Sequence, residues 1–151
     1  MSAVVGSPVD GRAGPLSGVD DPVFSQQMVG PGMAVTPGGG RGDAVAPIAG
    51  TVATLHPHAF VITAAGGASV LVHLGIDTVK LKGEGFALHV AKGDIVEAGQ
   101  PMVTWDPTEV EAHGYSAVCP VVVLEVEAEA LGDFREAGAV TAGEPLFSVR
   151  E

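Results

Sequence analysis

The stretch His56-Pro57-His58-Ala59-Phe60-Val61-Ile62-Thr63-Ala64-Ala65-Gly66-Gly67-Ala68-Ser69-Val70-Leu71-Val72-His73-Leu74-Gly75-Ile76-Asp77 decides how the chain is read. Residues 60–63 and 70–74 are apolar and rich in β-branched side chains, and small residues fill 64–68 between them. That pattern predicts two antiparallel strands joined by a turn. With the turn centred between Gly66 and Gly67, Phe60 faces His73, His58 faces Gly75 and His56 faces Asp77. Opposed residues of two strands share a sheet face, as do alternate residues of one strand. His56, His58, His73 and Asp77 then project from one face, with the Cβ atoms of His58 and His73 ~6–8 Å apart as diagonal neighbours. A turn shifted by one residue would flip His73 to the opposite face.

Outward from this hairpin, further short runs at 51–55, 102–105, 121–126 and 146–149 read as strands. Each is bounded by Gly, Pro or Asp, which turn the chain at low conformational cost. The chain of 151 residues holds 22 glycines and 11 prolines without a collagen period, which implies many short elements and tight turns. Residues 107–113 predict a short helix, with Asp106 as N-cap, Pro107 at the first helical position and Gly114 ending it. A second helical turn is expected within 128–135, none in the first half, and a loop at 37–40. Two internal echoes suggest a duplicated unit. Pro8-x-x-Gly11 with Leu16 resembles Pro47-x-x-Gly50 with Leu55, and Val96-x-Ala98-Gly99-x-Pro101 resembles Val140-x-Ala142-Gly143-x-Pro145. The expected fold is all-β: a single 1–151 domain forming an antiparallel β-sandwich or barrel, of the barrel-sandwich hybrid type, with one or two short helical turns.

Seven basic residues against 18 acidic ones give a net charge of −11, which excludes a nucleic-acid partner held by its phosphates. An apolar fraction of 46% supports a packed core and excludes general disorder. Cys119 stands alone, so no internal disulfide forms and a reducing compartment is expected. Its place before Pro120 at a strand start marks it as a small core residue. Residues 1–8 lack a basic segment followed by an apolar one, and no apolar run reaches the ~20 residues of a membrane span. The expectation is a cytoplasmic protein without direct membrane insertion.

Two adjacent imidazoles disfavour double protonation, and a neutral imidazole is a competent nucleophile near pH 7. The neighbouring ring can donate a hydrogen bond to an incoming anion. A phosphoryl group suits such a pair, because its transfer needs positioning and charge stabilisation above all. His89 and His113 read as solvent-facing, and the acidic run 125–129 as the solvated face of a strand.

The stretch from Val70 to Phe86, with Val72-His73-Leu74-Gly75-Ile76-Asp77-Thr78-Val79 at its centre, resembles the phosphohistidine signature of the glucose-type enzyme IIA component of the bacterial sugar phosphotransferase system. Ala46-Pro47-x-x-Gly50-Thr51-Val52, His58-Ala59-Phe60, Val29-Gly30-x-Gly32-Met33-Ala34-Val35 and Val140-x-x-Gly143-x-Pro145-Leu146 carry the resemblance over nearly the whole chain. It implies that His73 accepts the phosphoryl group and that His58 orients and stabilises it. It also implies an apolar docking surface at Val23, Phe24, Met28, Val29 and Val79, with Asp21 and Asp77 as its acidic rim. The bland reading of those apolar residues is ordinary core. His56 departs from the family pattern, which often carries a small hydroxyl residue there; His56→Thr is accordingly expected to be close to neutral. The implied partners are the histidine phosphocarrier protein and a sugar-specific enzyme IIB domain of a membrane permease, together with regulatory protein targets known for some relatives. No cofactor is required, although His58 and His73 could share an incidental zinc ion with a partner-supplied ligand.

Two other classes compete with this one. A zinc-dependent hydrolase could use His56, His58 and His73 as three ligands with an open fourth position. A biotinyl- or lipoyl-type carrier is suggested by Gly93-Asp94-x-Val96-x-Ala98-Gly99-Gln100, yet neither Lys80 nor Lys82 stands in the Met-Lys-Met setting such carriers use.

Overall fold

A computed structural model describes residues 2–151, so Met1 of the expected 1–151 unit lies outside the described residues. The strands are β1 (Ser2–Gly6), β2 (Gly11–Pro15), β3 (Gly32–Pro37), β4 (Gly42–Val45), β5 (Gly50–His56), β6 (Ala59–Thr63) and β7 (Ser69–His73), followed by β8 (Ala87–Leu88), β9 (Ile95–Val96), β10 (Pro101–Trp105), β11 (Cys119–Val123), β12 (Leu131–Gly132), β13 (Gly138–Val140) and β14 (Pro145–Arg150). They form three open antiparallel sheets: β1-β14-β12, β4-β10-β8, and β13-β2-β3-β11-β7-β6-β5-β9. The expected antiparallel sandwich is the observed architecture.

The duplication is visible in the pairing. β2 pairs with β13 and β1 with β14, as β5 pairs with β9 and β4 with β10. The hydrogen bonds repeat too. Ser7 N–H donates to Glu144 O and Gly143 N–H to Ser7 O, each at 2.8 Å, matching Ala46 to Gln100 at 2.9 Å and Gly99 to Ala46 at 2.8 Å. The two halves then exchange reciprocal bonds, Gly6 to Pro47 and Val45 to Pro8, both 2.8 Å.

β11 is buried along its whole length because both of its faces are covered. Val121 and Val123 enter the main core with Phe60, Ile62, Val70 and Val72, while Val122 joins a smaller outer core with Leu16, Val19, Phe24, Ala34 and Ile76. An N-terminal helix, α1 (Pro22–Ser25), covers that outer core. It was not expected from the first half, although its signals are local: Asp21 Oδ1 caps Val23 N–H at 3.0 Å and Pro22 stands in the first turn. The predicted second helix, α2 (Pro107–Ala112), is capped by Asp106, which accepts from Thr108 N–H at 2.9 Å, and Gly114 (φ +90°) follows it.

Three expectations need correction. The strand placed at 121–126 stops at Val123, because Glu125 turns left-handed (φ +59°); the acidic run 125–129 is a turn leading into a short 3-10 segment, Ala128–Ala130. The helical turn expected over 128–135 is only that segment, after which β12 begins. The third concerns the central hairpin. Ala59, not Phe60, faces His73, and Phe60 faces Val72. This register collects Phe60, Ile62, Val70 and Val72 on the core face, a requirement stronger than the symmetry of the Gly66-Gly67 pair. The loop is therefore a three-residue one closed by Ala64 and Ala68, with Gly67 at φ +105° absorbing the left-handed position.

Candidate functional site

His73 ends β7 on the face opposite Val70 and Val72, beside the outer core. The small Ala59 opposite it leaves room above the sheet. His58 arrives by another route than the one expected. It is not a strand residue, since His56 pairs with Ala59 and Pro57-His58 form the two-residue turn between β5 and β6. The pair meets nonetheless. The ring centroids of His58 and His73 are 5.1 Å apart and edge-on (65°). Leu74 N–H donates to His58 O at 2.7 Å, which ties the turn to the end of β7.

The loop after β7 sets the chemistry of His73. Gly75, at φ +83°, turns its carbonyl back to accept from His73 Nδ1 at 2.5 Å. No other residue fits at 75, because a Cβ there would lie 2.6 Å from Thr78 Cγ2 and 2.8 Å from Ser116 O. Buried Thr78 donates to Leu74 O at 2.8 Å and Ile76 N–H to Ser116 O at 2.9 Å, so the loop is held on both sides. A nitrogen facing a carbonyl must carry the proton. The other nitrogen of His73, Nε2, therefore keeps its lone pair.

Electrostatics keep the pair neutral. Burial lowers the His73 pKa below its usual 6.5, against the opposing pull of the Gly75 carbonyl, Asp21 and Asp77. Burial, then repulsion from His73 and His56, pushes His58 down to about 4. Both imidazoles are thus uncharged at neutral pH. Cys119, beneath the sheet, is pushed up to about 12 by burial and is an inert core thiol, as expected.

The remaining predicted residues divide. Val23, Met28 and Val79 are 43, 69 and 57% exposed, large apolar side chains left open to solvent; Val23 adjoins Phe24, whose ring faces His73, and Val79 lies in the 3-10 turn after Asp77. Phe24 is 7% exposed and belongs to the outer core; its ring stands 5.5 Å from that of His73 as a wall, so docking through it is not supported by exposure. Val29 is half-buried against the same core. Asp21 caps α1, and Asp77 (φ +62°) precedes the 3-10 turn Thr78–Leu81. His56 is exposed and stacks on His58, with centroids 5.6 Å apart and 22° between the planes. His89 and His113 are exposed, as expected. The loop carbonyl of Gly75 escaped the sequence reading, although a glycine two residues after a strand histidine signals such a turn.

Comparison with known proteins settles the family. The family "phosphoenolpyruvate-dependent sugar phosphotransferase system, EIIA 1" matches residues 3–128. The chain belongs to that family. Glucose permease IIA from Mycoplasma capricolum superposes on this EIIA chain with a TM-score of 0.91 and 32% identity, over 99% of this chain and 97% of the other. The beta-glucoside-specific EIIBCA component of the phosphotransferase system of Bacillus subtilis (strain 168) is 37% identical over 148 residues. That match covers 97% of this chain but 24% of the relative, so the EIIA chain spans about a quarter of that protein's length. Its role is that of a phosphocarrier component of the sugar phosphotransferase system. The zinc-hydrolase alternative finds no support. Among the described residues no three His, Cys, Asp or Glu side chains are grouped to hold a metal ion. His58 and His73 offer two nitrogen donors, half of a tetrahedral zinc set. Among the described residues no helix is long and apolar enough to cross a membrane.

Proposed function

We propose that Nε2 of His73 accepts a phosphoryl group from the histidine phosphocarrier protein and passes it to a sugar-specific enzyme IIB domain on the cytoplasmic side of a permease. The observation that carries this reading is the bond from His73 Nδ1 to Gly75 O, which leaves Nε2 as a fixed lone pair beside His58. The Nε2 lone pair attacks phosphorus as the donor's N–P bond breaks, and that electron pair returns to the donor imidazole. The reverse set of changes delivers the group onward. Phosphoryl transfer of this kind needs positioning and charge stabilisation, both within reach of two imidazoles and a backbone carbonyl, so no resident cofactor is invoked. His58, with a ring N–H toward the phosphoryl oxygens, stabilises charge as it moves between nitrogens. Val23, Met28 and Val79 supply the apolar contact for both partners, and Asp21 and Asp77 the acidic rim that steers a basic one.

The test is incubation with phosphoenolpyruvate, enzyme I and the histidine phosphocarrier protein. One acid-labile, base-stable phosphate on Nε2 of His73 is expected, identified by phosphorus and nitrogen NMR. Phosphate on any other residue, or on Nδ1, overturns the assignment.

A further inference from the structure

The ring of His58 has an unusual support. As a turn residue it is free of the strand pleat, which would otherwise dictate where its side chain points. Its backbone is pinned, by the bond from Leu74 N–H to its carbonyl, and by Pro57, whose fixed φ presets the turn. The ring itself makes aromatic contacts on two sides among the described residues: His73 at its edge and His56 across its face. The His73 side is where a phosphoryl group must enter. Only the His56 side persists through the reaction.

We propose that His56 is a positioning residue for phosphoryl transfer: stacked on His58, it holds that ring edge-on to His73 while the phosphoryl group comes and goes. The proposal rests on the reading of His73 as acceptor and His58 as stabiliser. A stacked aromatic pair biases a side-chain rotamer by roughly 2- to 10-fold, so removing the face reduces the competent His58 population by a similar factor. This replaces the near-neutral expectation for His56→Thr, because a threonine offers no face. The ring nitrogens of His56 are a separate matter, and a phenylalanine separates the two: it keeps the face and lacks the nitrogens.

The experiment compares His56→Phe, His56→Ala and His56→Thr in rapid-quench measurements of onward transfer, with the ring-proton NMR shifts of His58 recorded in parallel on unphosphorylated protein. Phe is expected to stay within about 2-fold of the parent, and Ala and Thr to lose roughly 2- to 10-fold in kcat with KM for the enzyme IIB domain unchanged. The His58 ring protons should lose their ring-current shift in Ala and Thr and keep one in Phe. Phe as slow as Ala, Ala as fast as the parent, or unmoved His58 ring shifts in Ala would each overturn the proposal. Failure of the underlying reading looks different: phosphate appears away from His73 in the parent protein, whatever the variants do.

Discussion

His73 and His89 both stand in short hydrogen-bonded arrays, and the proposed function gives the nucleophile's part to only one of them. His73 Nδ1 bonds the Gly75 carbonyl at 2.5 Å, in a half-buried position walled by Phe24 and His58. His89 uses its Nε2 on Thr104 Oγ1 at 2.5 Å, and Thr104 in turn donates to Asp43 Oδ1 at 2.5 Å. His89 and Asp43 are about equally open to solvent, with side chains 43 and 45% exposed. Both arrays contain strong partners. The difference is which nitrogen each array leaves free: the Gly75 carbonyl accepts from Nδ1–H of His73 and leaves the Nε2 lone pair beside His58, whereas Thr104 Oγ1, which donates its own hydrogen to Asp43, accepts from Nε2–H of His89 and leaves the lone pair on Nδ1. Desolvation adds the rest, by keeping His73 neutral beneath an apolar rim.

The largest test of this contrast is His73→Gln. Phosphoryl acceptance should vanish to background while the circular dichroism and unfolding midpoint stay close to the parent, because a half-buried rim side chain contributes little packing. Retained phosphorylation would move the nucleophile, with His58 the first residue to examine. Next comes His58→Gln. The nucleophile and apolar rim survive, so acceptance should slow only mildly, whereas onward transfer should fall on the order of 10²–10³-fold, as when one preorganised donor to a developing charge is removed. Equal small losses in both half-reactions would refute the division of labour.

A smaller effect is expected from Val79→Asp. Val79 is 57% exposed and its side chain has no polar atom to join the hydrogen bonds of His73, so its replacement should raise KM for both partner proteins by roughly 10-fold, with kcat little changed. An unchanged KM would remove Val79 from the docking surface. The acid side of the pH scale gives a further test. In the unfolded chain His58 binds a proton below about 6.5, but in the folded protein only near 4. Between those values the unfolded state holds the extra proton, so stability falls as pH drops from about 6.5 to 4. The same lowering at His73 should keep phosphoryl acceptance level below pH 6.5, where an ordinary imidazole would already be charged. His58→Gln should lose less stability over this window than the parent in urea titrations. Identical losses would show that His58 is not the group responsible.

How far the sequence reached is best seen at the same two histidines. The pairing of His58 with His73 was legible, and so were α2 and its Asp106 cap, because motif and capping chemistry are local. The register was not. Two adjacent glycines permit a two- or three-residue centre, and the choice was made by burial of Phe60 and Ile62 against Val70 and Val72, which is a tertiary matter. The correct pair thus emerged from an incorrect alignment, since His58 lies in a turn that strand alternation does not govern. The packing of Phe24 was likewise hidden: sequence shows an aromatic after Pro22-Val23, but only the outer core with Ile76 and Val122 seats it as a wall beside His73. Composition alone could not separate His73 from His89 either, as both follow short apolar runs.

The smallest expected effect is therefore the sharpest control. His89→Gln removes a ring from an exposed array whose Nε2 lies 3.7 Å from Asp43 Oδ1. Exposed ion pairs contribute about 0–1 kcal/mol, and surface substitutions away from special features usually shift stability by ~0.5 kcal/mol or less. A glutamine amide can still donate to Thr104 Oγ1, and the backbone bond from His89 N–H to Met102 O at 2.9 Å does not depend on the side chain. Both half-reactions should run at the parental rate, and the urea midpoint should be almost unmoved. A loss of phosphoryl transfer above about 3-fold would mean that hydrogen-bond partners and burial at the histidine itself do not decide which imidazole is competent. The contrast between the two arrays would then have to be sought in the surfaces that partner proteins touch, with the sheet carrying Asp43 and Thr104 among them.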